Sequence, residues 1–264
     1  MVDGTARGDG RPLVAGDIVL LVDRKDRRYM FALRADGEFH THSGVLAHTE
    51  LIGLREGQTA KSTGASSFVV WRPTLSDYVL KMKRGAQIIY PKDIGPILML
   101  ADIGPGVRVL ESGIGSGALS LAMLRAGADI VGYELREDFA ERAVRNVTDF
   151  FGDVQDRYRV EIRSVYDGID EVDLDAVVLD LPEPWLAVDH ATVALRPGGI
   201  LVGYTPSITQ AVTLREALAD RGFARAETLE VLNRTWHIDG QSVRPDHRMV
   251  AHTGFLTHAR RSSS

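Results

Sequence analysis

An acid followed by two prolines and an aromatic ring, Asp180-Leu-Pro-Glu-Pro-Trp185, closes the apolar run 175–180. A carboxylate on a proline-stiffened turn can accept a hydrogen bond from an exocyclic amino group and take up a proton. Upstream, Val109-Leu-Glu-Ser-Gly113-Ile-Gly115-Ser-Gly117-Ala-Leu119 joins an apolar run to a helix start through glycines. Glycine lacks a Cβ and accepts positive φ, so this turn lets a nucleotide-like ligand approach the backbone. Twenty-one residues after Gly113, the short run Ile130-Val-Gly-Tyr ends in Glu134. An acid at that distance can accept from both ribose hydroxyls of an adenosine. Loop and acid together point to an adenosine-containing cofactor.

The spacing Gly113-x-Gly115-x-x-Ala118 suits both a dinucleotide and the glycine loop of S-adenosylmethionine-dependent methyltransferases. Polar Glu111-Ser112 before the turn, its position in mid-chain, and extended stretches near the C-terminus favour S-adenosylmethionine. Asp167, in Ser-Val-Tyr-Asp167-Gly, suits an acceptor for the adenine amino group, and equally a turn aspartate before glycine. Asp180 reads as the residue that engages the methyl acceptor; a helix N-cap is its plainer role. A carboxylate there fits a purine whose amino group neighbours the target nitrogen. Accepting from adenine N6–H moves electron density onto N1, a weak nucleophile, before an in-line displacement dominated by positioning.

The elements that must hold these residues change rhythm along the chain. Runs at 17–22, 28–33, 38–42 and 68–72 read as strands of a small antiparallel unit. Thr74-Leu-Ser-Asp77 has the pattern of a capping box. A Ser/Thr/Gly/Ala-rich stretch at 62–70 sets the expected boundary between an N-terminal β-rich domain (1–68) and a catalytic domain (69–264). From Pro91 helices and strands alternate: helix 91–102, strand 107–111, helix 117–126, strand 130–134, helix 137–150, strands 159–163 and 175–180, helix 184–195, strand 200–204 and helix 207–221. Such alternation predicts an α/β, Rossmann-like sheet, with strand 175–180 beside the cofactor strand. Two extended stretches, Thr228–Trp236 and Met249–His258, would make one strand antiparallel, giving a seven-stranded sheet of the methyltransferase type.

Composition sets the remaining bounds. The 264 residues are 44% hydrophobic and 25% charged, an ordinary soluble balance, and no apolar run reaches bilayer length. The absence of cysteine excludes thiolate catalysis and Cys-ligated zinc and fits a cytoplasmic setting. Residues 1–10 read as a disordered tail with no signal-peptide core. The eight histidines lack ligand spacing, so no metal is expected. With net charge −5, a nucleic-acid partner needs local basic patches. Lys81, Lys83 and Arg84 form one candidate, beside Tyr90. Arg244, His247 and Arg248, with 244–247 read as a loop near His252, form another; each is equally a solvated face. Trp71 and Trp236 read as core residues, and Trp185 as a pocket wall or a core anchor.

At these residues the chain resembles the bacterial and archaeal tRNA (adenine-58-N1)-methyltransferases, of the actinobacterial type. The resemblance spans about residues 11 to 260. It rests on Tyr78-Val-Leu-Lys-Met-Lys-Arg84, Ile89-Tyr-Pro-Lys-Asp93, the Glu111–Leu119 loop, Tyr133-Glu134, Asp180–Trp185, Gly203-Tyr-Thr-Pro-Ser-Ile-Thr-Gln210 and His252-Thr-Gly-Phe255. It implies a class I methyltransferase fold, S-adenosylmethionine as cofactor, tRNA as substrate and a homotetramer without metal. It further implies that Ser116, Gly117, Ala118 and Leu119 meet the methionine part of the cofactor, Glu134 its ribose, and Phe139 and Asp167 its adenine. Asp180 would engage the target N6, and Tyr90 and Tyr204 would line the pocket for the flipped base. Two departures stand out: the connection after Leu124 is short, and Pro182 and Glu183 reshape the turn after Asp180.

Overall fold

The computed structural model describes residues 10–85 and 87–263. The tail expected over residues 1–10 therefore lies, Gly10 apart, outside the described residues. The chain divides into two compact units: residues up to Met82 with Thr148–Asp153, and Lys83–Val147 with Val154 onward.

The first unit is built on six short strands: β1 (Ile18–Asp23), β2 (Arg28–Ala32), β3 (Glu38–Thr41), β4 (Gly44–Ala47), β5 (Thr59–Lys61) and β6 (Ser67–Trp71). They form an antiparallel sheet of order β2-β1-β6-β5 and a separate β3–β4 hairpin. Period-2 alternation turns Val19, Leu21, Phe68 and Val70 inward onto Leu13, Leu33, Leu46 and Leu51. Phe31 stacks on Phe39 and on His48, with centroids 5.1 and 4.7 Å away. Strands β4 and β5 escape sequence reading because three or four residues are too few to display an alternation. Trp71 is not core: the same alternation that buries Phe68 and Val70 turns it outward, 43% exposed. After it, Arg72 is buried and pairs with Asp17 (2.9 Å) and Glu56 (3.2 Å).

Helix α1 (Leu75–Lys81) begins with the expected capping box. Thr74 Oγ1 accepts from the Asp77 amide, and the Asp77 carboxylate accepts from the Thr74 amide at 3.1 Å. Its buried Tyr78 packs on Phe150, centroids 4.8 Å apart.

In the second unit follow α2 (Pro91–Leu100), β7 (Arg108–Ser112), α3 (Ala118–Ala126), β8 (Asp129–Glu134), α4 (Glu137–Phe151), β9 (Tyr158–Ile162) and β10 (Leu174–Asp180). Then come α5 (Val188–Ala194), β11 (Leu195–Thr205), α6 (Ile208–Asp220), β12 (Phe223–Glu230), β13 (Trp236–Asp239), β14 (Ser242–Pro245) and β15 (Phe255–Arg261). Seven of these strands form one sheet of order β12-β15-β11-β10-β7-β8-β9. From β11 to β9 neighbours are parallel, while β15 runs antiparallel to both β11 and β12. This is the expected Rossmann-like sheet with its late reversed strand. The centre, β10, reads as a continuous apolar run because both its faces are covered. Val177, Leu179 and Leu201 pack with Val188, Ala191, Leu214 and Leu218 of α5 and α6, and Trp185 anchors on this core rather than on the cavity described below.

Three local expectations change. The helix expected over 184–195 is a 3-10 turn at 184–187 followed by α5; Pro184, with its fixed φ, opens the turn. The stretch 244–247 is not wholly a loop, since Ser242–Pro245 pairs with β13. That ribbon is a sheet of two strands only, so Trp236 has no second layer to bury it and is 55% exposed. Among the described residues no helix is long and apolar enough to cross a membrane.

Replacing Thr74 with Ala removes the acceptor for the Asp77 amide. It should lower the free energy of unfolding by about 1 kcal/mol in denaturant titration, and Thr74→Ser should not.

Candidate active site

The parallel ladder between β7 and β10 ends with Ser112 opposite Leu179. The next residues, Gly113 and Asp180, then meet. Gly113 has φ +84, and a Cβ on it would stand 2.1 Å from the Asp180 carbonyl oxygen. Only glycine allows β7 to turn over the end of β10 at that distance. Past the turn, Gly117 (φ +80) is the N-cap of α3, with Ala143 against its Cα.

The loop is tied to the end of β8. Glu134 Oε2 accepts from the Gly115 amide (3.2 Å) and Oε1 from the Arg136 amide (3.0 Å). These bonds fix the carboxylate before any ligand arrives and leave it further lone pairs for hydroxyl donors. Ser116 is held on both sides: its Oγ accepts from the Gly85 amide (3.1 Å) and its carbonyl from Asn146 Nδ2 (2.9 Å).

Beneath the loop lies a cavity of about 580 Å³. Of the residues singled out in the sequence, Gly113, Gly115, Ser116, Ala118, Leu119, Glu134, Phe139 and Asp180 line it. Gly117 stands behind the wall. Asp167 is exposed on a 3-10 turn whose preceding residues Ser164, Val165 and Tyr166 form the wall instead. Tyr90 and Tyr204 are not on this wall. Sequence reading gave no site role to Ile88, Ile89, Leu135, Arg163 and Leu181, which also line it. Leu135, directly after the acid that ends β8 and 70% exposed, carried the one usable signal. The Phe139 ring is braced by the Arg136 guanidinium, 3.8 Å from its centroid.

Four carboxylates, Glu111, Glu134, Asp180 and Glu183, line this space. Burial pushes the Glu111 carboxyl up to about 8 despite the Ser120 hydroxyl that donates to it at 2.5 Å, and Asp180 and Glu134 add to the rise. Tyr158 in turn donates to Ser120 at 3.2 Å. Burial likewise pushes Asp180 up to about 7, with Glu134 adding. The guanidinium groups of the wall are engaged elsewhere: Arg136 pairs with Asp138 (3.0 Å) and Arg163 with Asp170. The cavity is thus an apolar-walled space with an excess of acceptors, suited to a ligand that carries positive charge and hydroxyl donors.

The other side of Asp180 faces β11, where Tyr204 is its register partner. The Tyr204 phenol is pushed up to about 12 by burial, and its surroundings include Asp93, Asp180 and Tyr90. Tyr90 caps α2, and its carbonyl accepts from the amides of Asp93 and Ile94. Asp93, fully buried, accepts from Lys92 Nζ (2.8 Å) and Thr253 Oγ1 (2.6 Å). The fold therefore brings Asp180, Tyr90 and Tyr204 together beside the cavity, on the flank away from Glu134. The basic candidates Lys81, Lys83, Arg84, Arg244, His247 and Arg248 are all exposed, and Lys81 donates to the Arg28 carbonyl (2.9 Å). His252 sits between Glu230 (2.7 Å) and the Pro206 carbonyl (2.9 Å), both of which hold its pKa above the usual value.

Residues 67–244 match the family model described as tRNA methyltransferase complex GCD14 subunit, and residues 12–59 match the TrmI-like N-terminal model. The tRNA (adenine(58)-N(1))-methyltransferase TrmI of Thermus thermophilus is 37% identical over 92% of this chain and 96% of its own. The Methanocaldococcus jannaschii protein, named tRNA (adenine(57)-N(1)/adenine(58)-N(1))-methyltransferase TrmI, is 34% identical over 91% and 94%. Among solved structures, a SAM-dependent O-methyltransferase of Thermotoga maritima superposes with TM-score 0.91 at 32% identity, covering 96% of each chain. The tRNA (m1A58) methyltransferase TrmI of Aquifex aeolicus gives TM-score 0.84 at 27% identity, covering 96% of this chain and all of the other. With Asp180 and the glycine loop joined as described, and with relatives of this identity along nearly its whole length, the chain belongs to the tRNA (adenine-58-N1)-methyltransferase family.

Proposed function

We propose that this protein transfers a methyl group from S-adenosylmethionine to N1 of adenine 58 in the T-loop of tRNA. The observation that carries the reading is the junction of Gly113 with Asp180, which sets a part-buried carboxylate at the rim of a cofactor-sized cavity. The acceptor-rich lining fits the cofactor, whose sulfonium and ammonium groups are cationic. When bound, the cofactor supplies an electrophilic methyl group. Ser116, Gly117, Ala118 and Leu119 are assigned to its methionine end and Glu134 to its ribose. Phe139 and the turn of Asp167 are assigned to its adenine; Asp167 itself stands off the wall, and Ser164–Tyr166 support the turn's assignment.

On the acceptor side, Asp180 accepts from N6–H of the target adenine, which raises the electron density at N1, and removes the proton after methylation. Tyr90 and Tyr204 flank the base extruded from the tRNA elbow. Exposed Lys83, Arg84, Arg244 and Arg248 suit phosphate contacts. Residues 69–264 are assigned as the catalytic domain and 1–68 as an appended β domain. A homotetramer and a cytoplasmic setting complete the reading; exposed Trp236, Ile238 and Val243 on the β13–β14 ribbon suit burial between copies.

Methyl transfer to oxygen is the second reading, since the Thermotoga maritima neighbour is described as an O-methyltransferase. A carboxylate acceptor would, however, have to enter beside Glu111, Glu134 and Asp180, where like charge opposes it. Incubation with labelled S-adenosylmethionine and unmodified tRNA, followed by mapping of the product, separates the two. Label at N1 of adenine 58 is expected; a protein that binds the cofactor yet leaves tRNA unlabelled would overturn the proposal.

Two predictions follow from Asp180. Asp180→Asn should lower kcat by about 10²–10⁴-fold, while the cofactor Kd measured by calorimetry changes only a few-fold. Because Asp180 titrates near 7 and must be ionised to accept from N6–H, activity is present above that pH and lost below it. A pH profile of kcat/KM should fall about tenfold per unit on the acid side, and Asp180→Asn should abolish that limb.

A further inference from the structure

The turn after Asp180 is restrained by its own sequence, and the carbonyl of Pro182 is its least restrained part. Leu181 and Glu183 each precede a proline, which disfavours helical backbone at both. The rings of Pro182 and Pro184 fix φ, and neither residue has an N–H with which to close the turn on itself. The ends are held as well. Asp180 closes β10 against Gly113, while buried Pro184 opens the 3-10 turn whose Trp185 packs on the sheet core. Between them ψ of Pro182 sets the direction of its carbonyl, and that carbonyl accepts from Gln210 Nε2 at 2.9 Å. Leu181, Pro182 and Glu183 line the cavity; Gln210, on α6, does not.

The Gln210 side chain is oriented from its other end. Ser207-Ile-Thr-Gln210 has the spacing of a capping box at the start of α6. Half of the box forms: Ser207 is the N-cap, and its Oγ accepts from the backbone N–H of Gln210 at 3.3 Å. In the other half the glutamine would turn back to the backbone N–H of its own cap. Here Ser207 Oγ instead donates to Gln210 Oε1 at 2.7 Å, and Nε2 reaches out to Pro182. A carbonyl only accepts, so the end of Gln210 that faces Pro182 is the NH₂ and the end that faces Ser207 is the oxygen. The bond lies at the surface, where water can replace it at little cost in stability. Water cannot replace its direction. We propose that Gln210 is a positioning residue of the acceptor side: by holding the Pro182 carbonyl it keeps the Leu181–Glu183 rim in the arrangement that lets the target base lie against Asp180. The proposal rests on the assignment of Asp180 to the target amino group.

Three variants of the full chain at this one position test it. Gln210→Met keeps the length and removes the donor. Gln210→Glu keeps the shape and, ionised, can only accept; Gln210→Lys supplies a donor again. With S-adenosylmethionine and unmodified tRNA, Gln210→Met and Gln210→Glu should lower kcat by roughly tenfold, because a base slightly off its line of attack loses rate more than affinity. The KM for tRNA and the cofactor Kd should change by less than about threefold, and Gln210→Lys should recover most of the lost kcat. The cap bond uses the backbone N–H of Gln210, so the thermal midpoint of Gln210→Met should match the parent's, whereas Ser207→Ala should lower it. Hydrogen exchange reads the turn without reference to activity. Amides of the turn, among them the Leu186 N–H that donates to the Glu183 carbonyl at 3.1 Å, should exchange several-fold faster in Gln210→Met and Gln210→Glu but not in Gln210→Lys. Parental kcat in Gln210→Met, a Gln210→Lys enzyme no better than Gln210→Met, or a kcat loss that only follows a lowered midpoint would overturn the proposal. So would a loss confined to KM, which would make Gln210 an RNA contact. If the parent protein leaves tRNA unmethylated, the functional reading has failed, and the exchange comparison still decides whether Gln210 holds the turn.

Discussion

The contact on which the rest of the site depends is between Gly113 and the carbonyl of Asp180. Two parallel strands that end level, Ser112 opposite Leu179, leave their next residues in direct competition for space. A side chain at position 113 would push the loops apart, because its Cβ would meet the Asp180 carbonyl. Glycine with positive φ removes the conflict, so β7 folds across the end of β10 and the loop above comes to lie over the same cavity that the Asp180 side chain enters. One missing Cβ thus joins the glycine loop to the turn after β10, and the distance between them is set by backbone and not by flexible side chains.

A second constraint is electrostatic. Placing Glu111, Glu134 and Asp180 around one apolar-walled space costs free energy in the ligand-free protein, because burial disfavours each charge and each disfavours the others. The protein offsets part of that cost with fixed donors: two backbone amides on Glu134 and the Ser120 hydroxyl on Glu111. Asp180, for which burial raises the pKa furthest from an aspartate's usual value into the neutral range, is the group left to respond to what enters. Stability is spent where the ligand is to supply the compensation, a pattern common at functional sites.

The two flanks of Asp180 are rigid for different reasons. On one side Glu134 is clamped by the amides of the loop it helps to shape. On the other, β11 presents Tyr204 against Gly254, and a buried ion pair, Lys92 with Asp93, ties α2 to the segments around Val231 and Thr253. A buried pair is weak evidence for stability, but this one joins α2 to the Val231 carbonyl and, through Asp93, to Thr253.

Much of this was legible in residue types and spacing. The apolar run, glycine turn and helix start at 109–119, the acid at 134 and the Asp-x-Pro-x-Pro turn at 180 are local signals, and local sterics and chain periodicity suffice to read them. The alternation from residue 91 likewise specified the sheet, and the capping box at Thr74 formed as written. What local pattern does not contain is which side chain meets which across the fold. Asp167 has the right type but stands outside the cavity wall, while Leu135, Ser164, Val165 and Tyr166 form that wall. Trp71 and Trp236 are large and apolar, yet burial depends on whether a second layer lies over them, and both are exposed. Asp93 and Thr253, 160 residues apart, carry no mark of their partnership. The chain by itself determined the fold class, the glycine turn and the acid at the end of β10 that the proposed function uses, because those follow from contacts between near neighbours. Tertiary structure alone decided the geometry of acceptors and protons around that acid, because hydrogen-bond direction depends on groups that only the closed sheet brings together.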